Sequence, residues 1–239
     1  MQYAQGLRVV SEPRDATAFE VRDALQAEGC AVCRLTLGAV DRYIATLAYE
    51  GVSDRGFRDR LRAAGGFCAS HAYRWLRDSH SVLGTALIYR DLLTTARREL
   101  ADERPRGNLL SRWRQPSRED TTAATGTNCP VCQTERAAEA RFLSALRAIL
   151  SDADGVEALE RSDGLCLPHT RAMLARGGSA AARVQAHTLA ALERQLAVLD
   201  EVIRKEDYRF RHEPRSEAER AAPAVAVATA VGADGLVRS

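Results

Sequence analysis

The sequence lacks an apolar run long enough to cross a membrane, and it lacks the pattern of a secretory signal. No stretch reaches the ~18 apolar residues that a transmembrane helix needs. The first residues do not combine a basic start with an apolar core. These absences predict a cytoplasmic protein. In that compartment thiols stay reduced, and clustered cysteines more often hold a metal than form disulfides.

Excess charge of either sign is also missing. The 34 basic and 32 acidic residues leave a net charge of +2, which is too small to draw nucleic acid or anionic lipid to the protein. Lys205 is the one lysine, and every other basic residue is arginine. We interpret this bias as the mark of a GC-rich genome rather than of recognition by arginine. The charge therefore predicts neither nucleic acid nor a membrane as a partner.

Alternation of polar and apolar residues, which would indicate strands, is absent, whereas apolar residues recur at three- and four-residue steps. Val40, Ile44 and Leu47 illustrate this helical spacing. We predict an all-α fold made of two tandem helical repeats, each built around a Cys3His metal site. The repeats cover residues 16–100 and 128–210, and a linker that contains proline and glycine covers 101–127. Residues 1–15 are predicted to be irregular, and residues 211–239 to be a disordered tail.

The cysteines form one pattern that occurs twice. All six lie in four motifs: Cys30-Ala31-Val32-Cys33 with Cys68-Ala69-Ser70-His71, and Cys129-Pro130-Val131-Cys132 with Cys166-Leu167-Pro168-His169. The two Cys-x-x-Cys motifs are 99 residues apart and the two Cys-x-x-His motifs are 98 apart. This register indicates a duplicated metal-binding unit, because buried structural cysteines would not need the same spacing four times.

The spacing within each motif suits a tetrahedral metal. Two residues three apart at a helix start lie on one side of the helix, with Cβ atoms about 5–6 Å apart. Zinc–sulfur bonds of about 2.3 Å require sulfur atoms roughly 3.8 Å apart, which side-chain rotation can supply. Free N–H groups at a helix start also favour the thiolate that binds metal. Each motif therefore offers two ligands, and two motifs complete a shell.

We predict two zinc ions held by eight residues: Cys30, Cys33, Cys68, His71, Cys129, Cys132, Cys166 and His169. Pairing within each copy is the simplest topology. The alternative joins the Cys-x-x-Cys motif of one copy to the Cys-x-x-His motif of the other. Three thiolates, one zinc ion and a neutral imidazole carry a net charge of −1, so we expect Arg34 and Arg74 to lie near the shells.

These motifs resemble a family of bacterial and archaeal proteins that have no assigned activity. Its pattern is a CPxC motif that opens a helix and a Gly-Phe-Cys-x-x-His segment some 35 residues later, followed by a second copy. The matching positions are Cys30, Cys33, Gly66, Phe67, Cys68 and His71, then Cys129, Pro130, Cys132, Gly164, Leu165, Cys166 and His169, within residues 18–205. Ala31 departs from the proline of the family motif. The resemblance implies metal binding and a helical fold.

Filled Cys3His shells leave no open position for a substrate. No other set of residues resembles a catalytic one. We therefore predict a non-catalytic adaptor or regulator whose partner is another protein. One alternative is an iron–sulfur or thiol-based redox protein, since histidine replaces cysteine in some clusters. Another is a nucleic-acid-binding zinc protein, suggested by the linker arginines Arg104, Arg106, Arg112, Arg114 and Arg118, although acidic residues between them weaken the local field.

Overall fold

The computed structural model describes residues 13–102 and 128–236, and every regular element in these ranges is helical. The predicted all-α fold is confirmed. The described ranges leave out residues 1–12 and 103–127. Most of the predicted irregular N-terminus and most of the linker, including its five arginines, therefore lie outside them. Among the described helices, none is long and apolar enough to cross a membrane.

The described elements are ten α-helices and one π-helical turn. They are α1 (Pro13–Leu25), α2 (Ala31–Thr46), the π-helical turn (Leu47–Gly51), α3 (Arg55–Ala63), α4 (Ala69–Asp78), α5 (Val82–Asp102), α6 (Pro130–Ile149), α7 (Ala153–Arg161), α8 (Leu167–Leu174), α9 (Gly178–Glu206) and α10 (Glu217–Val231).

The chain divides into two compact units that are not contiguous in sequence. Unit 1 consists of Met1–Thr36 and Ala138–Asp234, and unit 2 of Leu37–Ala137 and Gly235–Ser239. The boundary falls inside α2 and inside α6, so each unit takes segments from both sequence copies. The units therefore do not follow the boundaries predicted for the two repeats.

In unit 1, α9 packs against α7, α8 and α10, and α1 packs against α7. Its largest buried side chains come from the second half of α6 and from the helices that follow it: Phe142, Leu143, Leu146, Leu150, Leu159 and Met173. Apolar residues recur at three- and four-residue steps along α6, which gives the helix one face to bury.

In unit 2, one hydrophobic core joins the second half of α2 to α3, α4 and α5. Its buried members include Val40, Ile44, Leu47, Phe57, Leu61, Phe67, Trp75 and Ile88. The rings of Phe67 and Trp75 stack with centroids 5.6 Å apart. The buried indole of Trp75 donates a hydrogen bond of 2.9 Å to the hydroxyl of Thr85, so its polar atom has a partner inside the core.

The C-terminal segment forms α10, where the sequence predicted disorder, so that prediction is wrong for residues 217–231. Ser216 and Glu219 form a capping box at the start of the helix. Lys205 of α9 donates to both carboxylate oxygens of Glu219 at 2.9 Å. Gln195 of α9 donates to Thr229 at 2.8 Å. Packing on α9 stabilises a helix whose small side chains could not form a core alone.

Candidate metal centres

Each of the four cysteine motifs opens a helix, as the sequence predicted. Cys30 and Cys129 directly precede α2 and α6, and Cys68 and Cys166 are the N-caps of α4 and α8. The second candidate ligand of each motif, which is the cysteine or histidine three residues later, lies in the first helical turn. Unpaired N–H groups at these helix starts favour thiolates over thiols.

A glycine turn leads into each Cys-x-x-His motif. Gly66 and Gly164 have φ values of +103° and +81°, a region that other residues rarely adopt. A Cβ atom on Gly164 would lie 2.8 Å from Nδ1 of His187. Glycine two positions before the cysteine therefore permits the positive φ, and at position 164 it also leaves room for His187.

Site 1 lies in unit 1 and brings together Cys30 and Cys33 of the first copy with Cys166 and His169 of the second. The Sγ atoms of Cys33 and Cys166 are 3.6 Å apart. Nδ1 of His169 lies 3.3 Å from Sγ of Cys30, 3.4 Å from Sγ of Cys33 and 3.2 Å from Sγ of Cys166. All but Cys30, which is partly exposed, are buried.

Site 2 lies in unit 2 and brings together Cys68 and His71 of the first copy with Cys129 and Cys132 of the second. The Sγ atoms of Cys68 and Cys132 are 3.6 Å apart. Nδ1 of His71 lies 3.3 Å from Sγ of Cys68, 3.7 Å from Sγ of Cys129 and 3.2 Å from Sγ of Cys132. All four side chains of this site are buried.

These distances fit one four-coordinate metal ion in each site. Bonds of about 2.3 Å to sulfur and about 2.0–2.1 Å to nitrogen give tetrahedral edges of roughly 3.8 Å between sulfurs and roughly 3.6 Å between sulfur and nitrogen. The four ligand atoms of each site lie within 4.8 Å of one another. Two Cys/His clusters of this chain could therefore each bind a metal ion.

The predicted pairing within each copy is wrong, since both clusters join one copy to the other. The length of the helices gives the physical reason. The second half of α2, around Ile44, belongs to the same core as Cys68. Cys33 precedes Ile44 by eleven residues, or about 16 Å along the helix axis. The helix is thus long enough to carry its Cys-x-x-Cys motif in unit 1 and to supply core residues to unit 2.

Each of the two histidines has a carboxylate oxygen next to Nε2, the ring nitrogen that does not face the sulfur atoms. Nε2 of His71 lies 3.2 Å from Oε2 of Glu135, and Nε2 of His169 lies 3.2 Å from Oε1 of Glu139. A carboxylate in this position holds the imidazole so that Nδ1 points to the metal, and it raises the basicity of that nitrogen. Glu135 is buried, whereas Glu139 is about one-third exposed.

The two histidines of the sites and four of the six cysteines have displaced pKa values. Hydrogen bonds with Cys166 and Cys33 raise the pKa of Cys30, and burial raises the pKa of Cys132. Burial lowers the pKa of His169, but hydrogen bonds with Cys166, Cys33 and Glu139 outweigh it and raise the pKa to about 11. Burial also lowers the pKa of His71, but hydrogen bonds with Cys129 and Glu135 outweigh it and raise the pKa to about 9. Hydrogen bonds with Cys30 and Cys33 hold the pKa of Cys166 far below its usual value.

Cys129 also favours its thiolate. Burial opposes this, but hydrogen bonds with His71 and with backbone N–H groups lower its pKa to about 6. Each cluster therefore stabilises at least one thiolate, the form of cysteine that binds metal. Protons held by the remaining ligands must leave when a metal binds, so binding is linked to pH.

Polar groups near the sites have partners of their own. Arg34 donates to the carbonyl of Glu28, and Arg74 pairs with Asp41 and Asp78 and donates to the carbonyl of Gly235. The backbone N–H of Ala233, beyond α10, instead points to Sγ of Cys33 at 3.4 Å. This N–H is the kind of donor that stabilises a thiolate.

Sequence reasoning missed Glu135, Glu139 and Ala233. Glu135 follows Cys132 by three residues, so helical spacing could have indicated it as a neighbour of that motif. The equivalent residue of the first copy is Thr36, and site 1 uses Glu139 of α6 instead. No repeat comparison would have identified Glu139, because Val40 stands at its position in the first copy.

Fold and sites together define a class of helical protein with two Cys3His clusters, each assembled from two helix starts. The chain belongs to the Family of unknown function (DUF6062), whose model matches residues 14–230. The resemblance noted in the motifs is thereby confirmed.

A curated relative is the "Uncharacterized 23.9 kDa protein in xynA 3'region" of Caldicellulosiruptor sp. (strain Rt8B.4), which is 45% identical over 64 residues. The match covers 27% of this chain and 30% of that protein, so the chain matches less than a third of the relative's length. No solved structure matches the chain.

Proposed function

We propose that the protein binds two structural zinc ions and acts as a non-catalytic adaptor or regulator through contacts with another protein. The observation that carries the proposal is the geometry of the two clusters. Each offers three sulfur atoms and one nitrogen within 4.8 Å of one another. Such a set fills all four positions around zinc, as structural sites do.

The close spacing favours a single ion over an iron–sulfur cluster. In a cluster with two or more irons, cysteines bound to different irons are separated by the width of the cluster. Here Nδ1 of each histidine lies within 3.7 Å of all three sulfurs of its site. These distances suit ligands that share one ion.

The same geometry argues for a structural rather than a catalytic role. A catalytic zinc site keeps one position open for water or substrate, whereas four protein ligands would occupy every position here. In site 2 all four ligands are buried among the described residues, which would shield a bound ion from solvent. Zinc bound in this way contributes its binding free energy to folding.

An apolar row on α9 supports a role in protein contacts. Leu189, Leu196 and Ile203 are 54%, 58% and 69% exposed. They are spaced by seven residues, so they lie along one side of the helix. An exposed apolar surface of this kind is typical of a site that another protein covers.

Metal analysis with an absorbance spectrum, on protein purified without air, tests the zinc assignment. We expect two zinc ions per chain and no visible absorbance. Iron with sulfide and an absorbance band near 400 nm would overturn the assignment and favour a redox protein. One ion per chain would mean that only one of the clusters is a metal site.

The adaptor role has its own test. We would compare the proteins that purify with the wild-type chain and with L189E/L196E/I203E, using L83E on α5 as a control at another exposed leucine (71%). We expect a specific partner to be lost with the triple variant and kept with the control. A partner retained by all three proteins would mean that the α9 row is not the contact.

A further inference from the structure

A groove between α3 and α5 in unit 2 concentrates arginine side chains. One part, of about 470 Å³, adjoins a second part of about 270 Å³, and the two share Arg62, Arg90 and Asp91. The lining residues are Arg55, Arg58, Asp59, Arg62, Leu87, Arg90, Asp91, Thr94, Thr95 and Arg98. They belong to neither metal site.

The groove carries more positive charge than the whole chain. Five arginines and two aspartates give it a net charge of +3, whereas the full sequence has +2. Both aspartates are bound by one arginine: Arg62 donates to Asp91 at 2.6 Å and to Asp59 at 2.9 Å. The acidic groups are therefore already engaged, and Arg62 is held in place.

Of the other arginines, Arg58, Arg90 and Arg98 have no acidic partner within residues 13–102 and 128–236, so no described carboxylate competes with a ligand for them. Arg90 and Arg98 lie eight residues apart on α5, which places them on the same side and about 12 Å apart along the axis. Their guanidinium groups can therefore contact separate anionic groups of one extended ligand.

We propose that this groove binds an oligophosphate chain. Guanidinium groups bind phosphate oxygens through paired N–H donors, and such charge-assisted hydrogen bonds are stronger than neutral ones. Thr95 also lines the groove and carries a hydroxyl that can donate to a phosphate oxygen. None of the described lining residues is aromatic, so a nucleoside would gain no stacking, and recognition depends on the phosphates alone.

Calorimetric titration of the full-length, zinc-loaded protein tests this site, with inorganic tripolyphosphate and ATP as probes. The test variant is R90Q/R98Q. The matched control is R171Q/R183Q, which removes two exposed arginines of α8 and α9. Circular dichroism confirms that each variant is folded. Zinc is assayed after each titration, because phosphates also bind metal.

We expect both probes to bind wild type with similar affinity. The affinity should fall roughly tenfold for each arginine removed from the groove and by less than about twofold in the control. No binding at about 50 mM salt, or equal losses in the two variants, would overturn the proposal. Tighter binding of single-stranded RNA than of tripolyphosphate, sensitive to R90Q/R98Q, would replace it with a nucleic-acid surface. These outcomes are independent of zinc content and of the α9 row.

Discussion

Cys132 shares a cluster with Cys68, His71 and Cys129, and one substitution tests this grouping. In Cys132→Ser we expect zinc to fall from two ions to one per chain, because serine is a poor zinc ligand. Cys68 and Cys129 should then react with iodoacetamide, while Cys30, Cys33 and Cys166 stay protected. Peptide mass spectrometry of the alkylated protein measures this directly.

Ser70→Ala is the control for the Cys132 variant, since Ser70 is exposed and lies between Cys68 and His71. It should keep both ions and protect all six cysteines. Alkylation of Cys166 together with Cys129 in Cys132→Ser would contradict the grouping. That result would restore the pairing of motifs within one copy.

The carboxylate of Glu139 lies 3.2 Å from Nε2 of His169. It should increase the zinc affinity of site 1 without contacting the ion. In Glu139→Gln the uncharged amide supports the imidazole less well. We expect the zinc affinity of site 1 to fall by about 10–100-fold, while site 2 keeps its affinity. Competition with a coloured chelator measures both sites in one titration.

The exposed Glu160 of α7, which has no ion-pair partner among the described residues, offers the control. Glu160→Gln should bind zinc as wild type does. Equal affinities of the Glu139 and Glu160 variants would show that the contact between Glu139 and His169 does not support the metal.

At the level of helices, we expect the stability of α10 to depend on Lys205 of α9. Lys205 is 8% exposed and donates to Glu219 and to the carbonyl of Pro214. Lys205→Met leaves the Glu219 carboxylate without its cation, so we expect a loss of about 2–4 kcal/mol in unfolding free energy. Denaturant unfolding measures the loss, and hydrogen exchange should show the largest increase in α10.

Arg209→Met supplies the comparison, because Arg209 pairs with Asp207 at an exposed position. We expect it to cost far less stability than Lys205→Met, because exposed ion pairs are screened by solvent. Adding Glu219→Gln to Lys205→Met should recover part of the lost stability by removing the unpaired charge. An unchanged stability in Lys205→Met would mean that the ion pair does not hold α10.

Most helices could be predicted because their signals are local. The apolar spacing of α2, and the glycines and cysteines at helix boundaries, act within a few residues of one another. The helix α10 could not be predicted in this way. Its stability depends on Gln195 and Lys205, which precede their partners in α10 by 34 and 14 residues.

For the whole molecule, the two sites should differ in how readily they lose metal. Cys30 of site 1 is partly exposed, whereas every ligand of site 2 is buried. On addition of a chelator we expect two kinetic phases, with site 1 emptied first. Helical circular dichroism should fall as metal leaves, since metal binding and folding are coupled.

Alkylation during the chelator reaction assigns the phases. Cys30, Cys33 and Cys166 should become reactive in the fast phase, and Cys68, Cys129 and Cys132 in the slow one. In a separate reaction without the alkylating agent, zinc added in excess over the chelator after the fast phase should restore the circular dichroism signal. A single phase, or the reverse order of cysteine reactivity, would show that ligand burial does not control release.

The helical class, the family and the eight candidate ligands could be recognised in the sequence alone, because spacings of three residues and repeated motifs are local patterns. The sequence left open which motifs meet, and the simplest choice was wrong. Only tertiary packing decides this, since α2 and α6 each extend through the boundary between the units and place their two ends in different cores. The carboxylates of Glu135 and Glu139 and the N–H of Ala233 likewise meet the ligands only in the folded chain.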